Sequence, residues 1–213
     1  MKKFAALLLT FAMAVSLAAC AENSEPTETS APGTESSITE SSAGTDTESA
    51  GLQVLVAYFS ATGTTKGVAE NIAGGLGADL YEIVPEEPYT DADLDYHDDN
   101  SRSTVEMNNP SSRPAISGSV ENMEQYSIVF IGYPIWWGEA PRIVSTFMES
   151  YDFSGKTIVP FCTSGGSGIG SSASNLEELT TGAAWLDGQR LSGSDSQDTV
   201  MEWVNSLGLD FGA

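Results

Sequence analysis

Leu52-Gln53-Val54-Leu55-Val56-Ala57-Tyr58-Phe59 runs straight into Ser60-Ala61-Thr62-Gly63-Thr64-Thr65, and apolar residues then recur four apart at Val68, Ile72 and Leu76. The first stretch is almost wholly apolar and rich in β-branched side chains. That is the pattern of a strand covered on both faces, as in a parallel sheet. The second stretch is a tight turn of hydroxyls around a glycine, and the third is one face of a helix. A buried strand that turns directly into a helix is the first half of a β-α-β unit, and the rest of the chain repeats the theme.

Residues 80–84 read as a second strand, 128–133 as a third and 157–162 as a fourth, with a short fifth within 184–191. Pro141 suits the first turn of a helix carrying Ile143, Val144, Phe147 and Met148. Further helices are expected around 175–179 and along Val200, Trp203, Val204 and Leu207. Strands alternating with helices require right-handed crossovers, and so an α/β fold with a parallel sheet. Only residues 85–125 break the rhythm. This acidic segment holds Glu86, Glu87, Asp91, Asp93, Asp95, Asp98 and Asp99, with a helix expected within 91–107. A segment of about 40 residues without a regular crossover is uncommon in a compact domain and often functional. Asp91-x-Asp93-x-Asp95 lacks the glycine and terminal glutamate of a calcium loop, so it reads as a solvated, negatively charged surface with no metal.

The chain has 213 residues and a formal net charge of −22. Such an excess of acid speaks against nucleic-acid binding, which needs clustered Lys and Arg. Two cysteines cannot build a disulfide scaffold, and the single histidine, His97, excludes a His-rich metal site. Lys2 and Lys3 precede an apolar stretch from Phe4 to Ala19 that is short for a membrane span. Its closure, Leu17-Ala18-Ala19-Cys20, resembles the lipobox of a bacterial lipoprotein signal. That resemblance implies a signal peptide at 1–20, lipidation of Cys20, and export to the outer side of the cell membrane, which the protein would touch through its anchor alone. Residues 21–50 are Ser, Thr, Glu, Gly and Pro with almost nothing to bury, the composition of a disordered tether with a reach of about 30 Å. Residues 51–213 form the globular domain, with 6 basic and 23 acidic residues and a net charge of −17.

Three loops follow predicted strands, and all three carry unusual chemistry. In Ser60–Thr65, four hydroxyls and a glycine open a helix, where free backbone N–H groups and the helix dipole favour a phosphate. Turns of this composition also serve simply as helix caps. The spacing is neither that of a Walker A loop nor that of a dinucleotide-binding glycine turn. Tyr133-Pro134-Ile135-Trp136-Trp137-Gly138-Glu139-Ala140-Pro141-Arg142 sets two tryptophans side by side. They cannot easily share one core, and a flat aromatic ligand would explain at least one of them, a core or interface pair being the other reading. Cys162-Thr163-Ser164-Gly165-Gly166-Ser167-Gly168-Ile169-Gly170 has glycines that permit unusual backbone angles and close approach to a ligand. Gly-x-Ser-x-Gly is absent, so no hydrolase elbow is supported. Cys162 ends an apolar strand and reads as a buried thiol.

All three loops emerge at the carboxyl edge of one sheet, where open α/β folds bind ligands. Residues 54–73, 128–142 and 157–172 resemble the three flavin-binding regions of the flavodoxin family, and the Ser-x-Thr-Gly-x-Thr turn is the most specific part. The resemblance implies a three-layer sandwich around a five-stranded parallel sheet in the order 2-1-3-4-5. It implies FMN, with its phosphate on Ser60, Thr62, Gly63, Thr64 and Thr65. The ring would lie between Pro134, Trp136, Trp137 and Gly138 on one side and Thr163, Ser164, Gly165, Gly166 and Gly168 on the other. Either tryptophan could stack on the ring, Trp136 being the first choice. The function implied is electron transfer to a redox protein with a basic patch or to a small acceptor, with no catalytic side chain needed. A flavin-dependent NAD(P)H reductase of quinones or similar acceptors is the second reading, and a binding module without FMN the third.

Overall fold

The computed structural model describes residues 53–211. The expected signal peptide, Cys20 and the tether lie outside the described residues. The main sheet contains β1 (Gln53–Tyr58), β2 (Asp79–Glu82), β5 (Tyr126–Pro134), β6 (Thr157–Thr163) and a split outer strand, β7 (Ala184–Trp185) and β8 (Gln189–Arg190). Its order is β2-β1-β5-β6-β7, with β8 also on β6, and every pairing is parallel. Counting only these strands, the order is the expected 2-1-3-4-5. A separate antiparallel pair joins β3 (Val84–Pro85) to β4 (Ile116–Ser117).

The near-continuous apolar runs are explained by burial on both faces. Leu55, Ala57, Val129, Ile131 and Ile158 point to one side, where they pack with Ile143, Val144 and Phe147 of helix α3 (Arg142–Glu149). Val54, Val56, Ile128, Phe130, Val159 and Phe161 point to the other, against Val68, Ala69 and Ile72 of α1 (Thr64–Leu76) and Val200, Trp203 and Val204 of α5 (Gln197–Ser206). Each such large side chain buried contributes about 1.5–3 kcal/mol. Gly132 is required in β5, because a Cβ there would stand 2.2 Å from the Phe161 ring.

Two elements differ from the sequence expectation for clear reasons. The fifth strand breaks at 186–188 beside Pro160. Alternate residues of β6 face this outer strand, since Lys156, Ile158 and Cys162 accept from Ala184, Leu186 and Leu191 through their carbonyls. Pro160 belongs to the same set and has no N–H to give, so the ladder is interrupted there. The helix expected within 91–107 is confined to α2 (Arg102–Asn108). Before it, aspartates claim the backbone: Asp95 accepts from the His97 N–H and Asp98 from that of Asn100. Such Asx turns compete with helix. Ser101 then caps α2 by accepting from the Thr104 N–H.

Smaller shifts follow the same logic. The second strand ends at Glu82, and Val84 leaves the main sheet to pair with Ser117. The helix expected around 175–179 is α4 (Ser172–Glu177).

Candidate functional site

Parallel pairing brings the ends of β1, β5 and β6 to one edge, with Tyr58 opposite Gly132 and Pro134 opposite Thr163. Between β1 and β5 the strand order reverses, so the loops diverge and leave a crevice. A cleft of about 760 Å³ opens there. Ten of the fourteen residues singled out for a cofactor line it: Ser60, Thr62, Thr64, Thr65, Pro134, Trp136, Trp137, Thr163, Ser164 and Gly165. Gly63, Gly138, Gly166 and Gly168 stand in the same loops without forming its wall.

The hydroxyl turn divides into two kinds of residue. Thr62 and Thr64 are exposed, their hydroxyls 3.5 Å apart. Thr65 is buried, and its hydroxyl lies 2.8 Å from that of Thr163, tying the start of α1 to the end of β6. Gly63 takes the left-handed conformation at the helix N-cap, and no side chain caps the first turn. A Cβ on Gly63 would meet nothing within 4 Å, so the space before the free amides of α1 is open. The turn is thus built as an anion cradle at a helix start, without its own internal cap.

The tryptophan loop is a two-residue turn. Trp136 and Glu139 exchange backbone hydrogen bonds of 2.9 Å each way, with Trp137 (φ 48°) and Gly138 (φ 83°) at its tip. Positive φ is routine for glycine but strained for a bulky residue. The paired tryptophans therefore separate. Trp136 is half-buried, edge-to-face with Phe59 and Tyr89 at 5.6 and 5.4 Å. Trp137 stands 48% exposed at the cleft, with no ring contact among the described residues. The turn is braced from the start of α4, where Asn175 and the N-cap residue Ser171 donate to the Glu139 carboxylate at 2.6 and 3.4 Å.

In the glycine loop, the expected unusual angles are confined to Gly170 (φ 55°), while Gly165, Gly166 and Gly168 keep ordinary φ. Added Cβ atoms at those three would meet no protein atom within 4 Å. Their lack of side chains leaves open space and is not demanded by packing. Arg190 fixes the loop's first turn, its Nε and Nη2 donating to the Ser164 hydroxyl and carbonyl, both at 3.1 Å. The Ser164 hydroxyl in turn donates to the Ser167 carbonyl. Cys162, just behind, is fully buried, and burial pushes its thiol up to about 11, the Arg190 charge opposing only in part.

Sequence reasoning missed Arg190, Glu139 and a whole wall of the cleft. That wall is Leu94, Tyr96 and Ser103 of the acidic insertion. The insertion is anchored by Tyr89, whose hydroxyl donates to Glu106 at 2.5 Å, while Arg102 lies 4.2 Å over its ring and also bonds Glu106. Burial and the Glu106 carboxylate drive the Tyr89 hydroxyl far above its ordinary range. Arg142 ties the far end by donating to the Met107 carbonyl. The usable signal was scarcity: each of so few basic residues had to be holding something. Among the described residues, none that lines the cleft carries a charge. Among the described residues, no three His, Cys, Asp or Glu side chains gather to hold a metal ion.

An uncapped helix start with hydroxyls, a cleft walled by aromatic residues and a glycine loop with open space fit a phosphate-bearing planar cofactor such as FMN. Comparison with known proteins agrees with the architecture. A protein from Bacteroides eggerthii, provisionally described as a flavoprotein, is 49% identical, with a TM-score of 0.70 over 74% of this chain and 98% of its own. One from Bacteroides uniformis, described in the same way, is 46% identical, with a TM-score of 0.70 over 73% and 99%. A Lactobacillus acidophilus flavoprotein, whose crystal structure is of its complex with FMN, shares the fold at 22% identity, with a TM-score of 0.55 over 72% and 99%. No protein of curated function matches the sequence. Residues 53–207 match a flavodoxin family profile, and the chain belongs to the flavodoxin family.

Proposed function

We propose that this protein binds FMN in the cleft and carries electrons outside the cytoplasmic membrane, tethered there through Cys20. The observation that carries the reading is the convergence of the hydroxyl turn, the tryptophan turn and the glycine loop on one uncharged cleft at the strand-order reversal. The FMN complex of the L. acidophilus protein of the same fold supports the choice of flavin.

Each group of residues has a separable role. Thr62, Thr64, Ser60 and the first amides of α1 receive the phosphate. Trp136, fixed by Phe59 and Tyr89, gives the ring a rigid wall. Ser164, held by Arg190, presents the glycine loop to the polar edge of the ring. Bound FMN would supply the redox chemistry, while the protein binds it, orients it and sets the field around it. The electrons would pass to a redox protein with a basic patch or to a small acceptor, since the domain's net charge of −17 attracts positive surfaces.

The test uses the full chain expressed in a bacterium that processes lipoproteins. The wild type is expected in the membrane fraction with bound flavin that is reduced and reoxidised reversibly. Cys20→Ala is expected to lose the membrane association and keep the flavin. A flavin-free protein, or one that oxidises NAD(P)H rapidly with a quinone, contradicts the carrier reading. A Cys20→Ala protein that is processed and retained like the wild type contradicts the anchor.

A further inference from the structure

The three loops account for the expected contacts to FMN, yet the cleft has a further wall. Leu94, Tyr96 and Ser103 come from the acidic insertion and have no part in that cradle. Tyr96 is 70% exposed, and among the described residues its ring meets no other ring than that of His97, at 4.0 Å. Trp137, also lining the cleft, is 48% exposed and strained at φ 48°. Exposing two large aromatic rings at one cleft mouth is unfavourable unless something stacks on them.

The surrounding charge selects what that is. Leu94 and Tyr96 alternate with Asp93 and Asp95, and Asp91, Asp98 and Asp99 lie on the same segment. The cations near the cleft are already engaged: Arg102 on Glu106, the Glu87 carbonyl and the Tyr89 ring, Lys66 on Glu82 at 3.5 Å, and Arg190 on Ser164. Open aromatic faces within a negative field attract a cation that is itself flat, because ring quadrupole and net charge act in the same direction.

We propose that the insertion builds a second subsite in this cleft, beyond the flavin, for a planar aromatic cation held by Tyr96 and Trp137. This rests on the flavin reading, since FMN is what confines the second ligand to the Tyr96 side. The insertion then selects, by charge and flatness, which small molecules reach the cofactor. Anionic aromatics are excluded by the same aspartates that draw cations in.

The experiment loads the full chain with FMN, measures that affinity first, and then titrates three probes by calorimetry at about pH 8. The probes are N-methylacridinium, acridine and acridine-9-carboxylate, which share one ring system and are cationic, neutral and anionic. The cation is expected to bind about fivefold or more tighter than the neutral ring, and the anion weakest. Tyr96→Ala, at an exposed position, is expected to weaken the cation about fivefold and to leave FMN affinity within about twofold. Changing Asp91, Asp93, Asp95, Asp98 and Asp99 to Asn is expected to shrink the preference for the cation. Equal binding of the three probes, no probe binding, or cation binding indifferent to Tyr96→Ala overturns the subsite. A Tyr96→Ala loss that falls on FMN also overturns it, because Tyr96 then covers the flavin itself. Failure to bind FMN contradicts the functional reading along with the subsite, whereas FMN binding with charge-blind probes contradicts the subsite alone.

Discussion

The hydroxyls of Thr65 and Thr163 lie 2.8 Å apart, both buried, and join the turn after the first strand to the end of β6. The sequence stretch that looks like a uniform set of phosphate ligands thus contains one residue with a second job. Thr65→Val leaves the Thr163 hydroxyl without its partner. The expected loss is about 1–3 kcal/mol, read as a lower urea midpoint with an unchanged slope. Thr65→Val with Thr163→Val removes both polar groups and should recover part of that loss. A double variant less stable than the sum of the singles would contradict the pairing.

Trp137 holds a positive φ that suits asparagine far better than tryptophan. Trp137→Asn is expected to stabilise the flavin-free protein by up to about 1 kcal/mol, and to weaken the aromatic cation at the second subsite while changing FMN affinity little. Thermal unfolding of the flavin-free protein and titration of the FMN-loaded protein with N-methylacridinium separate the two effects. Lower stability without flavin would show that the tryptophan is kept for its packing.

Alkaline pH should destabilise the fold. The Cys162 thiol is pushed up to about 11 from 9.0, chiefly by burial. Tyr58, Tyr89 and Tyr133 are raised from 10.0 in the same direction by burial, with carboxylates adding to it at Tyr58 and Tyr89. Across that window the unfolded chain has released protons that the folded chain retains, so stability falls as pH rises. It should be unaffected by these groups below about pH 8.5 and decline from about pH 9 through 11. Unfolding midpoints measured across that range check the sign. Iodoacetamide should leave Cys162 of the folded protein unmodified at about pH 8.

The acidic insertion borders the cleft, so its charge should act on the cofactor. Replacing Asp91, Asp93, Asp95, Asp98 and Asp99 with Asn is expected to raise the flavin midpoint potential by on the order of tens of millivolts at low salt, and less at high salt. The same change should weaken the fall of electron-transfer rate with ionic strength that attractive steering of a basic partner produces. A wild-type rate independent of salt would remove steering from the account.

Much of this fold was legible because covered parallel strands announce themselves. Val54–Phe59, Ile128–Tyr133 and Thr157–Cys162 have no polar face to disguise them, and their following loops carried the unusual residues. The break in the fifth strand depended on which edge Pro160 faces, which no local pattern reveals. The short α2 was hidden because aspartates that solvate a helix and aspartates that replace it with Asx turns look alike in sequence. Arg190 and Glu139 act across distances of 26 and 36 residues. Tyr96 reaches the cleft only through the insertion's path, which Tyr89, Glu106 and Arg102 fix together.

The central claim is that the cleft holds FMN by its phosphate as well as its ring. Flavin-free protein should be titrated with FMN and with riboflavin, following the quenching of flavin fluorescence, alongside Thr62→Val and Thr64→Val. The account predicts that FMN binds at least about tenfold tighter than riboflavin. Each valine variant should weaken FMN by roughly tenfold to a hundredfold while changing riboflavin little, since a hydrogen bond to a charged group contributes about 1.5–3 kcal/mol. Absence of FMN binding, or equal affinities for the two flavins in the wild type, would contradict it.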